Sequence, residues 1–203
     1  MTDLIKKARR DLDIVAAMIP EDASVLDLGC GDGNFLKRLM EEKHVHALGI
    51  ECSDEEVANC IANGVPVVQG DLNHPLDFAA DGSFDCVIVS HTLQQVKHPD
   101  LLLREIVRVG KRAIVSFINI GHIKSRVQLI CLGRMPRHEA IPYQWYNTPN
   151  IHLGTIRDFR ALCEALHIEI MEQVAIGATK TRTAGYWTNL FAYGCVFELR
   201  GKQ

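Results

Sequence analysis

The sequence predicts an α/β fold: a mostly parallel sheet with helices on both faces, closed at one edge by an antiparallel hairpin. Three observations predict it. Short apolar, β-branched runs alternate with helix-period segments as far as Phe117, the pattern of parallel strands covered on both faces. A glycine-rich turn, Gly29-Cys30-Gly31-Asp32-Gly33, joins the first run to the helix that follows it. Late in the chain two strand-like runs succeed one another with no helix between them.

Each element has its own signal. Leu4, Ile5, Ala8, Leu12, Val15, Ala16 and Ile19 recur at helical spacing up to Pro20, so an amphipathic helix opens the chain. Val25 to Leu28 is a short buried strand, and a helix begins at Asn34 after the glycines. Val45 to Ile50 reads as the second strand. Ser53 caps the next helix, with Glu56 three residues on as the partner of a capping box. Val65 to Gln69 is the third strand, and Phe84 to Ser90, after the Asp81-Gly82 turn, is the fourth. Pro99 starts a helix that ends near Gly110, and Ala113 to Phe117 is the fifth strand. A helix from Thr155 to Leu166 leads into the last two strands, Ile168 to Ile176 and Leu190 to Leu199. Residues 1–203 form one domain, with an irregular insertion rich in proline and aromatic residues at about 119–154.

Composition narrows the class. The 203 residues are 47% hydrophobic and 23% charged, the balance of a globular protein with a sizeable core. A net charge of −3 with no Lys/Arg run argues against nucleic acid and membrane surfaces as partners. No long apolar span and no signal-peptide pattern at Met1 to Pro20 stand in the sequence. The seven cysteines are scattered and never form C-x-x-C, so neither a disulfide framework nor a zinc site is expected, and the setting is a reducing cytoplasm.

The glycine turn carries the chemistry. Glycines at this density let the backbone approach a ligand where any Cβ would collide. The helix beyond presents free N–H groups and a positive dipole end, so a negative group of the ligand is expected beside it. The spacing Asp27-x-Gly29-x-Gly31-x-Gly33 is not the dinucleotide G-x-G-x-x-G, since Phe35 and Leu36 stand where its third glycine could fall. It resembles the first motif of the class I S-adenosylmethionine-dependent methyltransferases. That resemblance implies a Rossmann-like class I methyltransferase fold with a seven-stranded sheet, and S-adenosyl-L-methionine or S-adenosyl-L-homocysteine as cofactor.

In such a sheet ligands lie outside the carboxyl ends of the strands. Glu51, ending the second strand, can accept from both ribose hydroxyls. The resemblance further implies Asp27 near the cofactor's amino group and the loop Gly29, Cys30, Gly31 and Gly33 around its methionine end. It implies Asp71 accepting from the adenine amino group, Leu72 flanking the ring, and Ser90 and His91 beside the sulfonium methyl. Singly, Glu51 or Asp71 reads equally well as a helix cap or a solvated acid, and His91 as a structural histidine. Cys30 reads most simply as a small buried residue. Their joint placement at strand ends, in order, is what favours a cofactor. No acceptor-activating motif accompanies them, so the catalytic residues are unknown, and no metal ligands are assigned.

The second half sharpens the resemblance. The blocks Thr92-Leu93-Gln94, Arg108-Val109-Gly110, Ile114-Val115-Ser116-Phe117 and Trp145-Tyr146-Asn147-Thr148-Pro149-Asn150-Ile151-His152 resemble the MetW family of methionine biosynthesis proteins, over about Ala23 to Leu166. The pattern departs at 116–122, where Ile118 and Ile120, with Ile123 beyond, stand in place of a proline and two bulky rings. The resemblance implies a protein that accompanies a homoserine O-acyltransferase (MetX) and supports its activity; from linkage, S-adenosylmethionine favouring one partner-bound state would couple pathway output to acyl transfer. The alternative is a methyltransferase acting on a small molecule. A nicotinamide oxidoreductase is disfavoured by the glycine spacing. Homo-oligomerisation and the roles of His122 and His152 stay open.

Overall fold

The computed structural model describes residues 10–138, 140–177 and 187–201. In chain order these form α1 (Arg10–Met18), β1 (Ser24–Leu28), α2 (Asn34–Lys43), β2 (His46–Glu51), α3 (Asp54–Ala62), β3 (Val67–Gln69) and β4 (Phe84–Ser90). There follow α4 (Pro99–Val109), β5 (Gly110–Ile118), α5 (Ile123–Leu132), α6 (Ile156–Ala165), β6 (Ile168–Ile176), α7 (Thr188–Phe191) and β7 (Gly194–Gly201). One seven-stranded sheet has the order β3-β2-β1-β4-β5-β7-β6. The first five strands are parallel, and β7 runs antiparallel to both β5 and β6.

Successive side chains of a strand point to opposite faces, and here the parity divides the core in two. Leu26, Leu28, Val87, Val89, Val115 and Phe197 face α4 and α6, where Leu103, Ile106 and Phe159 meet them. Val25, Cys86, Ile88, Ile114 and Val196 face α1, α2 and α3, against Val15, Ile19, Leu36, Leu39 and Cys60. Phe117, Phe159 and Phe197 form an aromatic knot with ring centroids 4.6–5.8 Å apart. The same parity puts Asp27, Ser90 and Ser116 on the α1 face, each two residues after the last apolar residue of its strand on that face, Val25, Ile88 and Ile114. That arrangement fixes the floor of the site.

Several boundaries differ from the sequence expectation. The stretch 119–154 contains a ten-residue helix, α5. It escapes a pattern search because its cap is an imidazole, His122 Nδ1 accepting from the Lys124 N–H at 3.1 Å, and its apolar residues lie on more than one side. Gly133 ends it in the left-handed region at φ 58°. Residues 188–191 are a short helix, so the closing strand starts at Gly194. Val65 lies in the turn that follows α3, where its N–H meets the Cys60 carbonyl at 3.0 Å, and β3 begins two residues later. The Ser53 capping box is half formed: Ser53 Oγ accepts from the Glu56 N–H, but the Ser53 N–H goes to Glu51 instead. The full box is at α6, between Thr155 and Asp158. Leu4, Ile5 and Ala8 lie outside the described residues.

Candidate functional site

The carboxyl ends of β1 to β4 and the loops after them surround a cleft of about 660 Å³, within the range of small-molecule sites. Gly29, at φ 82°, lies so close to Thr92 that a Cβ there would stand 2.8 Å from Thr92 Cγ2. Gly31, at φ 57°, has open space where its Cβ would be. The loop is held from below. The N–H groups of Gly29 and Cys30 both donate to the Ile50 carbonyl, at 2.8 and 3.2 Å. Cys60 donates its thiol to the Gly31 carbonyl at 3.1 Å.

Glu51 organises the other side of that loop. Its Oε2 accepts from the Gly31 N–H at 3.0 Å, and Oε1 from the N–H groups of Cys52 and Ser53 at 2.8 and 3.0 Å. Burial pushes its carboxyl up, but the three backbone donors together outweigh that and hold it below the ordinary value. Asp71 sits exposed on the rim. Its Oδ1 takes the Asn73 N–H at 2.9 Å and Nδ2 at 2.7 Å, and these bonds keep it ionised below the usual carboxylate range. Asn73 Oδ1 accepts from the Lys97 N–H at 2.7 Å, joining the β3 and β4 loops.

At the end of β4 the chain builds a buried polar knot. Asp11 Oδ2 accepts from Ser90 Oγ at 2.9 Å and Ser116 Oγ at 3.0 Å, and lies 3.2 Å from His91 Nε2. His91 has φ 60°, a left-handed backbone that a non-glycine residue rarely adopts. Asp11 thereby pins α1 across the strand ends and carries Leu12 into the cleft lining. The Ser90 hydroxyl, expected beside a reacting methyl, is spent on this knot.

Of the expected site residues, Asp27, Gly29, Cys30, Gly31, Glu51, Asp71, Leu72, Ser90 and His91 all line the cleft. Gly33 does not. It has φ 74° at the start of α2, and a Cβ there would stand 2.8 Å from Cys60 Sγ, so it serves helix packing beneath the loop. At the α2 N-terminus, where a negative group of the ligand is expected, Asp32 Oδ1 accepts from the Asn34 N–H at 3.1 Å. Sequence reasoning missed Gly49, where a Cβ would stand 2.5 Å from Cys30 Sγ. It also missed Asn73, Gln95 and Asp11. A glycine inside an apolar strand was the available signal for Gly49.

The charge of the cleft is one-sided. Asp27, Asp32, Glu51, Glu56 and Asp71 contribute carboxylates, and no lysine or arginine is among the described residues that line it. A phosphate-rich ligand would meet repulsion there, whereas a sulfonium or ammonium group and hydroxyl donors would be favoured. No cluster of three His, Cys, Asp or Glu fit to hold a metal ion occurs among the described residues.

Sheet order and closing hairpin define the class I methyltransferase fold. The chain superposes on an S-adenosylmethionine-dependent methyltransferase of Thermotoga maritima with a TM-score of 0.71 at 19% identity, covering 96% of this chain and 89% of that one. Residues 9–199 match the family model of methionine biosynthesis protein MetW, and the chain belongs to that family. It is 35% identical over 173 residues to the bifunctional methionine biosynthesis protein MetXA/MetW of Rhodopirellula baltica, across 81% of this chain and 28% of that protein. It is 30% identical over 157 residues to ajmaline N-methyltransferase of Rauvolfia serpentina, across 73% of this chain and 53% of that one. The chain therefore spans less than two thirds of the length of either relative.

Proposed function

We propose that this protein binds S-adenosylmethionine, or S-adenosylhomocysteine, in the acidic cleft and that it binds and activates a homoserine O-acyltransferase (MetX) in methionine synthesis. The observation that carries the ligand is the charge of the cleft: five carboxylates and no lysine or arginine among the described lining residues. The glycine cradle fits the reading too, since Gly31 has open space where a Cβ would stand and Gly29 lets the loop close against Thr92. Glu51 would accept from the ribose hydroxyls, and Asp71 with Leu72 would hold the adenine. The bound ligand would supply an activated methyl group and a positive sulfonium centre. The acyltransferase half of the reading is supported by family membership and by the fused MetXA/MetW relative.

A regulatory role follows from linkage. A ligand that favours the partner-bound or the free form shifts the balance between them, and the partner alters ligand affinity by the same factor. Pathway output would thus feed back on acyl transfer. Equal ligand affinity for the free and partner-bound protein would overturn this coupling. A cytoplasmic setting belongs to the same reading and is supported by seven cysteines that all remain free thiols. No helix among the described residues is long and apolar enough to cross a membrane.

The second reading is methyl transfer to a small molecule, favoured by the likeness to ajmaline N-methyltransferase. Against it, Ser90 Oγ and His91 Nε2 both engage Asp11, which leaves neither directed at an acceptor. Calorimetry with S-adenosylmethionine and with a nicotinamide dinucleotide tests the ligand, and homoserine acylation with and without this protein tests the partner. Binding of the sulfonium ligand alone and a large protein-dependent rise in acylation are expected. Absence of both the rise and a complex would overturn the activating role and turn the search to a methyl acceptor.

A further inference from the structure

Helix α5 leaves apolar side chains in solvent on more than one side, Leu129 and Leu132 among them. Ile123, Val127 and Ile130 fall at i, i+4 and i+7 and share one face, and that face is exposed, with Ile130 82% accessible. The inward residue is polar: Ser125 is fully buried, its Oγ 2.9 Å from His138 Nε2. An apolar stripe at this spacing ordinarily faces a core, and a contiguous one left in solvent marks an interaction site.

The segment is also stiff. Gln128 Oε1 accepts from the Arg137 N–H at 2.8 Å, and Arg137 Nε donates to the Pro142 carbonyl at 3.0 Å, so α5 and the start of the aromatic loop are tied together. Beyond that tie Trp145 and Tyr146 meet edge to face at 5.7 Å, each more than 70% exposed. Tryptophan, tyrosine and arginine are the side chains that concentrate the energy of protein interfaces, and a pre-ordered surface loses little entropy on docking.

Charge selects the occupant. Residues 121–138 hold Lys124, Arg126, Arg134 and Arg137 and no aspartate or glutamate, in a chain of net charge −3. In a two-fold contact between copies the same basic segment would face itself, with like charges opposed. An anionic bilayer would meet a net-negative protein whose apolar stripe spans only ten residues. The face suits a protein partner with an apolar centre and an acidic rim.

We infer that the α5 stripe, together with Trp145 and Tyr146, is the docking surface for the homoserine acyltransferase subunit. The inference rests on the acyltransferase reading above and adds the address. Its test combines light scattering of the mixed proteins with the acylation assay, for wild type, Val127→Glu with Ile130→Glu, Trp145→Ala, and Ile61→Glu on α3, an equally apolar exposed site elsewhere. The α5 pair and Trp145→Ala should weaken the complex by about tenfold or more and lose activation in step, while Ile61→Glu matches wild type. In the wild-type complex, alkylation of the exposed Cys131, next to Ile130, should slow by about fivefold while that of the exposed Cys52 does not. If wild type activates but the α5 and Trp145 variants activate equally, and Cys131 stays reactive, the address is overturned and the acyltransferase reading stands. No complex with wild type overturns both. Self-association abolished by the α5 pair with acyltransferase binding intact, or capture of wild type by phosphatidylserine vesicles, assigns the face to a second copy or a membrane and overturns the inference. Should the α5 pair misfold, the Cys131 protection on wild type decides alone.

Discussion

Gln94 and His152 hold each other by two hydrogen bonds, one in each direction. Gln94 Nε2 donates to the His152 carbonyl at 3.1 Å, and the His152 N–H donates to the Gln94 carbonyl at 3.0 Å. The same side chain accepts from the Ile118 N–H at 2.8 Å. One buried amide thus clamps the aromatic loop to the end of β5 and to the turn that begins with the cleft residues His91 and Thr92.

Gln94→Ala should leave ligand affinity within about threefold of wild type while loosening the loop. Removing a buried amide strands its partners, at about 2 kcal/mol. Hydrogen exchange at the Ile151 and His152 amides should accelerate by about tenfold or more, and any dependence of acyltransferase activation on S-adenosylmethionine should weaken. Unchanged exchange would show that the clamp holds nothing.

Gly49→Ala should abolish ligand binding without unfolding the protein. The new methyl meets Cys30 Sγ beneath the glycine loop and must lift it. Adding Cys30→Ala removes the sulfur and should recover part of the affinity, a coupling that a double-mutant cycle reads by calorimetry. Independent, additive effects would place the loss elsewhere.

Glu51→Ala should cost both affinity and stability, because three backbone N–H groups lose their acceptor. A stability loss of about 2 kcal/mol is expected. Glu51→Gln keeps one carbonyl oxygen and should fall between the two. Calorimetry and urea unfolding separate the terms, and an unchanged ligand affinity in Glu51→Ala would displace the ligand from this end of β2.

His122 should make stability fall with acid. Burial, then the charges of His138 and Lys124, lower its imidazole to about 4 from the ordinary 6.5. The folded value lies below the unfolded one, so the contribution is complete above pH 6.5 and is lost as pH falls through 4. The loss is at most about 3 to 4 kcal/mol. His122→Asn keeps a side-chain acceptor at the cap and should flatten that part of a urea-unfolding series taken from neutral to acid pH. An identical slope in the variant would assign the acid sensitivity to another group.

Much of the fold was legible because it rests on local rules. Strands buried on both faces write themselves as apolar runs, and the glycine turn advertises a backbone that must come close to something. The acids Asp27, Glu51 and Asp71 were readable for the same reason, each lying at or just beyond the carboxyl end of a strand. What escaped depends on distant partners. Helix α5 is capped at its start by an imidazole and carries apolar residues on more than one side, so its start signal and its periodicity are both weak. Gly33 looked like part of the ligand cradle, but its neighbour is Cys60, 27 residues away by its number in the sequence. The Ser53 N–H goes to Glu51 rather than Glu56 because the Glu51 carboxylate turns back onto the two amides that follow it, Cys52 and Ser53.

The Asp11 knot bears on the order in which the molecule can be finished. Every strand end expected to grip a ligand, from Asp27 to His91, lies in the first 91 residues. Yet the hydrogen bond from Ser116 to Asp11 closes a span of 105 residues, the kind of distant contact that forms late and slowly. A growing chain on the ribosome would therefore carry all of its gripping loops, and the Ser90 and His91 partners of Asp11, before the last member of the latch. Only when β5 emerges does Ser116 complete the set of donors around Asp11.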